Sequence, residues 1–247
     1  MSKNIRVLLE ELSPTLSAGV LSANLSALGE DLELLESCGV RMLHFDVMDG
    51  HFVPTLTVGD GFVKAVRSPM LKDVHLMIQD PAEKIASYAA AGADMITIHV
   101  ESSTHIHRAL QCIGEAKNAN DPERSIARGL ALNPGTSLET VAPFLDELDV
   151  LFLLAVNPGY SGQKFIASTP ERFRQIKKIL LEKRKSIAVG IDGGVTRGNI
   201  AQIAELGPDI VVSGSALFDG KNTAEHARNM LHAIRASKET LHASTVS

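Results

Sequence analysis

Short, almost wholly apolar runs alternate with amphipathic stretches along this chain, the pattern of repeated βα units around a parallel sheet. Eight such runs occur, at residues 15–22, 41–46, 72–77, 95–99, 128–132, 150–155, 187–191 and 210–213. Each is short and bounded by Gly, Pro, Asp, Asn or Ser, so each predicts a buried strand. Eight parallel strands predict a closed barrel, the TIM (β/α)8 fold of the α/β class. Between the runs, Leu28, Leu32 and Leu35 recur at i, i+4 and i+7 within 26–38 and predict a helix with one apolar face, stopped by Gly39. A second helix is predicted to start at Ser168 or Thr169, with Pro170 and Glu171 in its first turn and Phe173, Ile176 and Ile179 or Leu180 on its buried side. Basic residues between 177 and 185 suit its negative end. No linker or composition shift divides the chain. The expectation is one barrel domain over 16–236, with an N-terminal extension, 1–15, and a polar C-terminal tail, 237–247.

Composition narrows the class. With 45% apolar and 21% charged residues, the 247-residue chain reads as a globular protein that buries a sizeable core. A net charge of −5 argues against non-specific binding to nucleic acid or anionic membrane, so an anionic ligand must be held by local groups. Cys38 and Cys112 are the only cysteines and form no C-x-x-C pair, which suggests neither a disulfide framework nor a thiolate zinc site. Glu10 and Glu11 fall where a signal peptide would be apolar, and no stretch reaches transmembrane length, so a cytoplasmic location is expected.

In a barrel of this kind all the loops that follow strands face one side, and function gathers there. Period-two alternation puts His44 and Asp46 on one face at the end of the second strand, with Phe45 on the other. His75 comes at the end of the third strand, and Asp192 follows the seventh, immediately before Gly193 and Gly194. Two imidazoles and two carboxylates on separate strands are costly to bury unless a cation lies between them. Mixed nitrogen and oxygen ligands suit zinc, iron, manganese or cobalt rather than magnesium or calcium. His51, His99 and Glu101 also lie near strand ends and read as supporting or structural groups.

Glycine recurs in the last three loops: Asn157-Pro158-Gly159-Tyr160-Ser161-Gly162-Gln163, Gly193-Gly194 and Ser213-Gly214-Ser215-Ala216. Backbone amides in such late loops are suited to a phosphate dianion without a lysine.

These segments resemble the ribulose-phosphate 3-epimerases over roughly residues 18–235. The similarity runs through Leu21-Ser22-Ala23-Asn24, the His-Phe-Asp-Val-Met-Asp-Gly-His-Phe-Val-Pro stretch at 44–54, Val74-His75-Leu76-Met77, Asn133-Pro134-Gly135-Thr136, 157–165, Asp192-Gly193-Gly194 and Ser213-Gly214-Ser215-Ala216. The resemblance implies that His44, Asp46, His75 and Asp192 hold one divalent metal ion and that Asp46 and Asp192 are also the acid/base pair. It implies that His75, Gly159, Tyr160, Ser161, Gly162, Gly193, Gly194, Gly214 and Ser215 contact the substrate and its phosphate, with Met48 and Met77 capping the reacting centre. The implied activity is interconversion of D-ribulose 5-phosphate and D-xylulose 5-phosphate through an enediolate, as in the pentose phosphate pathway, and the implied assembly is a homo-oligomer. The chain departs from the usual pattern at Gly19, where a serine is common, and at Asn24, Thr55 and Leu154.

Two alternatives follow from those departures: 3-epimerisation of another ketose phosphate such as allulose 6-phosphate, or a phosphosugar-binding paralogue with weak or no turnover. A decarboxylase on the same barrel would want Asp-x-Lys where this chain has Asp46-Val47-Met48, and a Schiff-base aldolase would need a lysine aimed into the barrel.

Overall fold

The computed structural model describes residues 4–160 and 162–245. Strands β1 (Thr15–Gly19), β2 (Met42–Met48), β3 (Leu71–Met77), β4 (Met95–His99), β5 (Ala127–Leu132), β6 (Val150–Leu154), β7 (Ala188–Asp192) and β8 (Ile210–Ser213) pair in sequence order, all parallel, and β8 returns to β1 to close the barrel.

Two strand ends differ from the sequence expectation by more than one residue. The first strand stops at Gly19 and not at residue 22, because its last partners are Ser213 for Ala18 and His44 for Gly19; a 3-10 turn over Val20–Ser22 follows. The second continues two residues past Asp46. Thr57 holds that extension, its hydroxyl donating to Asp46 O at 2.6 Å and accepting from Met48 N at 2.9 Å.

Helices α2 (Leu28–Ser37), α3 (Asp60–Ala65), α4 (Ile85–Ala90), α5 (Ile106–Glu115), α6 (Thr169–Glu182), α7 (Ile200–Ala204) and α8 (Thr223–Thr245) lie along the connections between strands and after β8. Leu32 and Leu35 of α2, and Phe173, Ile176 and Leu180 of α6, are buried against the sheet as their spacing predicts. The connection from β5 to β6 carries a 3-10 stretch, Leu138–Phe144, instead of an α-helix, with Pro143 inside it. Helix α8 runs through residue 237 without interruption, across the boundary where the polar tail was expected.

Alternation along each strand divides the core in two. On β2, Leu43, Phe45 and Val47 face the surrounding helices, whereas Met42 packs inside the barrel with Met95, Val150, Phe152 and Ile210. Gly190 makes room for Phe152, since a Cβ there would stand 2.3 Å from its ring.

An eighth α-helix in count but first in the chain, α1 (Ile5–Leu12), closes the end of the barrel opposite the strand C-termini. Ile5 and Leu9, one turn apart, pack into the inner cluster beside Met42 and Met95, while Glu10 and Glu11 stay exposed. The stretch expected as an extension is thus partly built into the core, because a barrel interior left open at its base would wet its apolar lining. Among the described residues no helix is long and apolar enough to cross a membrane.

Candidate active site and metal centre

Strand register assembles the site. On adjacent parallel strands His44 stands beside Asp73 and Asp46 beside His75, all four side chains on the inward face. Asp192 arrives as the last residue of β7. One ligand atom from each of His44, Asp46, His75 and Asp192 lies within 4.8 Å of all the others. His44 Nε2 is 3.3 Å from Asp46 Oδ1 and 3.7 Å from Asp192 Oδ2; His75 Nδ1 is 3.7 Å and 3.3 Å from the same two oxygens. Each carboxylate therefore sits between the two imidazoles.

The far side of each imidazole is anchored. His44 Nδ1 lies 2.7 Å from Asp73 Oδ2, which also accepts from Ser17 Oγ at 2.9 Å. His75 Nε2 lies 2.9 Å from His99 Nε2, and the two rings stack at 14° with centroids 4.9 Å apart. His99 Nδ1 is 3.2 Å from Glu101 Oε2, whose other oxygen accepts from Asn133 N at 2.8 Å and from the Thr136 hydroxyl.

Burial pulls the pKa of His44 down, but Asp73 and Asp46 outweigh it and hold it well above the ordinary histidine value. Burial likewise raises Asp46, yet His44 and His75 bring it below the usual carboxylate range. His75 is also raised, with Asp192 and Asp46 overcoming burial. The point between these groups favours positive charge. His99 differs, because burial pushes it down to about 4 despite Glu101.

A divalent cation fits this donor set. His44 Nε2 is buried, has no hydrogen-bond partner, and is turned towards the two carboxylates. An unpaired ring nitrogen in that position is otherwise costly, and it is where a metal ligand atom belongs, with Asp73 fixing the opposite nitrogen.

Above the four residues opens a pocket of 640 Å³. Asp46 and Asp192 reach it, Met48, Met77 and Leu154 supply apolar wall, and Gly159, Tyr160, Gly162, Gly193, Gly194, Gly214 and Ser215 line it from the β6, β7 and β8 loops. Ser161 lies outside the described residues. His75, expected from the resemblance to meet substrate as well as metal, is 1% exposed and does not line the pocket. Gly194 combines φ +66° with a close approach, since a Cβ would lie 2.7 Å from Phe165 N. No side chain is tolerated there, so the wall at that point is backbone. A Cβ on Gly19, also a lining residue, would stand 3.1 Å from Gly214 Cα, so a serine there would press on the β8 loop.

A sequence model of the ribulose-phosphate 3 epimerase family matches residues 15–218. The chain belongs to that family. It is 38% identical over 222 residues to ribulose-phosphate 3-epimerase from Bacillus subtilis, covering 89% of this chain and 97% of that one. The Escherichia coli protein of the same name is 40% identical over 207 residues, 83% and 88% of the two chains. The chloroplastic ribulose-5-phosphate-3-epimerase of Arabidopsis thaliana is 37% identical, covering 90% and 76%. The barrel itself recurs in more distant proteins. 3-Hexulose-6-phosphate synthase from Salmonella typhimurium superimposes with a TM-score of 0.65 at 17% identity, over 90% of this chain and 99% of that one. 3-Keto-L-gulonate-6-phosphate decarboxylase from Vibrio cholerae gives 0.65 at 16%, over 91% and 98%.

Within this epimerase-family site, sequence reasoning passed over Asp73 and Ser17. Asp73 was within reach of it, since Asp73 and His75 share a strand face just as His44 and Asp46 do. Ser17 carried no such signal; it reaches that carboxylate only across β2, once β1, β2 and β3 are paired in register.

Proposed function

We propose that this chain is a metal-dependent ketose-phosphate 3-epimerase that interconverts D-ribulose 5-phosphate and D-xylulose 5-phosphate. The observation that carries the reading is the pair Asp46 and Asp192, carboxylates from non-adjacent strands that both reach the floor of the pocket beside two imidazoles. The names borne by relatives at 37–40% identity support ribulose phosphate as the substrate and its third carbon as the centre inverted.

Inverting a carbon next to a ketone requires a proton to leave from one face and another to arrive on the opposite face. Asp46 and Asp192 are the acid/base pair: the ionised carboxylate takes the C3 proton, the protonated one supplies the other face, and the roles exchange in the reverse direction. His44, His75 and the same two aspartates would hold one divalent ion of zinc, iron, manganese or cobalt type, which supplies Lewis-acid stabilisation of charge developing on the substrate oxygens. His44 and His75 act as neutral donors and not as bases. Met48, Met77 and Leu154 keep bulk water from the reacting carbon. The phosphate is held by the late loops, through backbone amides at Gly159, Gly162, Gly193, Gly194, Gly214 and Ser215 with Tyr160 beside them. A cytoplasmic homo-oligomer is the proposed working form.

In D2O, metal-loaded protein given ribulose 5-phosphate is expected to place deuterium at C3 and to form xylulose 5-phosphate. Absence of C3 exchange in every four- to six-carbon ketose phosphate would leave a binding protein in place of an enzyme. Faster turnover of allulose 6-phosphate would reassign the substrate.

A further inference from the structure

His75 turns one ring nitrogen to the four-residue site and the other to His99. We infer that His99 and Glu101 are positioning residues of the metal centre: the relay Glu101–His99–His75 selects the His75 tautomer whose Nδ1 lone pair faces the site. The inference rests on the metal reading above.

Donor and acceptor counting gives the direction of the relay. A ligating Nδ1 carries no proton, so neutral His75 keeps its proton on Nε2 and donates across 2.9 Å to His99 Nε2. That contact requires a bare Nε2 on His99, which places the His99 proton on Nδ1, 3.2 Å from Glu101 Oε2. A carboxylate oxygen accepts it. The other oxygen of Glu101 is fixed as an acceptor by Asn133 N and the Thr136 hydroxyl. Arg172 Nη2 in turn donates to the carbonyls of Asn133 and Thr136 at 3.3 and 2.8 Å, so the loop that orients Glu101 is itself tied to α6. His44 reaches the same result in one step through Asp73. Supporting carboxylates of this kind set both the ring orientation and the basicity of a ligating histidine.

The readout that separates this role from packing is the position of the protons. Nitrogen chemical shifts from NMR of the zinc-loaded protein are expected to report His75 protonated on Nε2 and His99 on Nδ1; a His99 protonated on Nε2 overturns the relay. Glu101→Gln tests it by substitution. Its carboxamide oxygen is retained by the Asn133 amide, so its NH2 faces His99 Nδ1 as a donor, driving the proton to His99 Nε2 and hence onto His75 Nδ1. Cobalt(II) affinity, measured by chelator competition, is expected to fall about 10- to 100-fold. In a His99→Phe background, which keeps the ring stack and removes the relay, Glu101→Gln should cost nothing further. Equal cost in both backgrounds, or wild-type affinity in Glu101→Gln, overturns the inference. Failure of the unaltered protein to bind cobalt(II) removes the metal reading itself, and the relay with it.

Discussion

The carboxyl of Asp192 opens into the pocket, whereas that of Asp73 is sealed beneath it, and neutralising the two should have different consequences. Asp192→Asn preserves shape and removes a proton carrier along with one charged metal ligand, so kcat should drop by about 100- to 10,000-fold or more even with metal at saturation. Near-normal kcat in that variant would refute its assignment to proton transfer. Asp73 meets no substrate. Asp73→Asn should instead weaken metal binding about 10- to 100-fold, with a smaller loss of kcat once metal is saturating, because it acts through the His44 ring. Titration calorimetry with metal, followed by kcat at saturating metal, separates these effects, and a metal affinity of Asp73→Asn equal to that of the unaltered protein would count against the role given to Asp73.

At the scale of elements, the end of β2 and the helix α1 make contributions that single residues reveal. Asp49, just past β2, accepts from His51 N at 2.8 Å and Phe52 N at 2.9 Å with one oxygen, and from Gln79 N at 2.8 Å with the other. It thereby ties the excursion after β2 to the end of β3. Partial burial raises its pKa, but the three amides outweigh that and hold the carboxyl below its ordinary value. A depressed folded-state pKa contributes stability above the unfolded value, near 4, and that contribution disappears as pH falls through the folded value. Asp49→Asn should therefore cost about 1 kcal/mol at neutral pH, at the low end for a charged acceptor because the group is partly exposed. It should also lose less stability than the wild type on acidification. Urea melts at neutral and acid pH test this, and parallel acid slopes would contradict it. For α1, Leu9→Ala empties part of the barrel base and should cost about 2–5 kcal/mol. A loss under about 1 kcal/mol would mean that the helix is not part of the cooperative unit.

For the whole molecule, a cation bound between β2, β3 and β7 links three segments distant in sequence, so it should stabilise the folded barrel by mass action. With free ion at about 1,000 times its Kd the gain is about 4 kcal/mol. Stripping the protein with a chelator should lower its melting temperature, and adding back zinc, manganese or cobalt should restore it; identical melts before and after would argue against a resident ion.

Much of this architecture is written locally. Apolar runs place all eight strands, and period-two alternation decides that His44 and Asp46 face inward together while Phe45 faces out. Glycines mark the late loops that line the pocket. Each of these is a property of a few consecutive residues, which is why the sequence alone determined them. Register is not of that kind. That His44 meets Asp73 and Asp46 meets His75, that closure carries Asp192 from β7 to face them, and that Ile5 and Leu9 plug the base are decided by pairing and packing between distant segments. The chain from His75 through His99 to Glu101 and the loop after β5 likewise exists only once β3, β4 and β5 lie side by side. Only the tertiary structure decides such contacts, because their energy belongs to pairs of residues that no local pattern brings together.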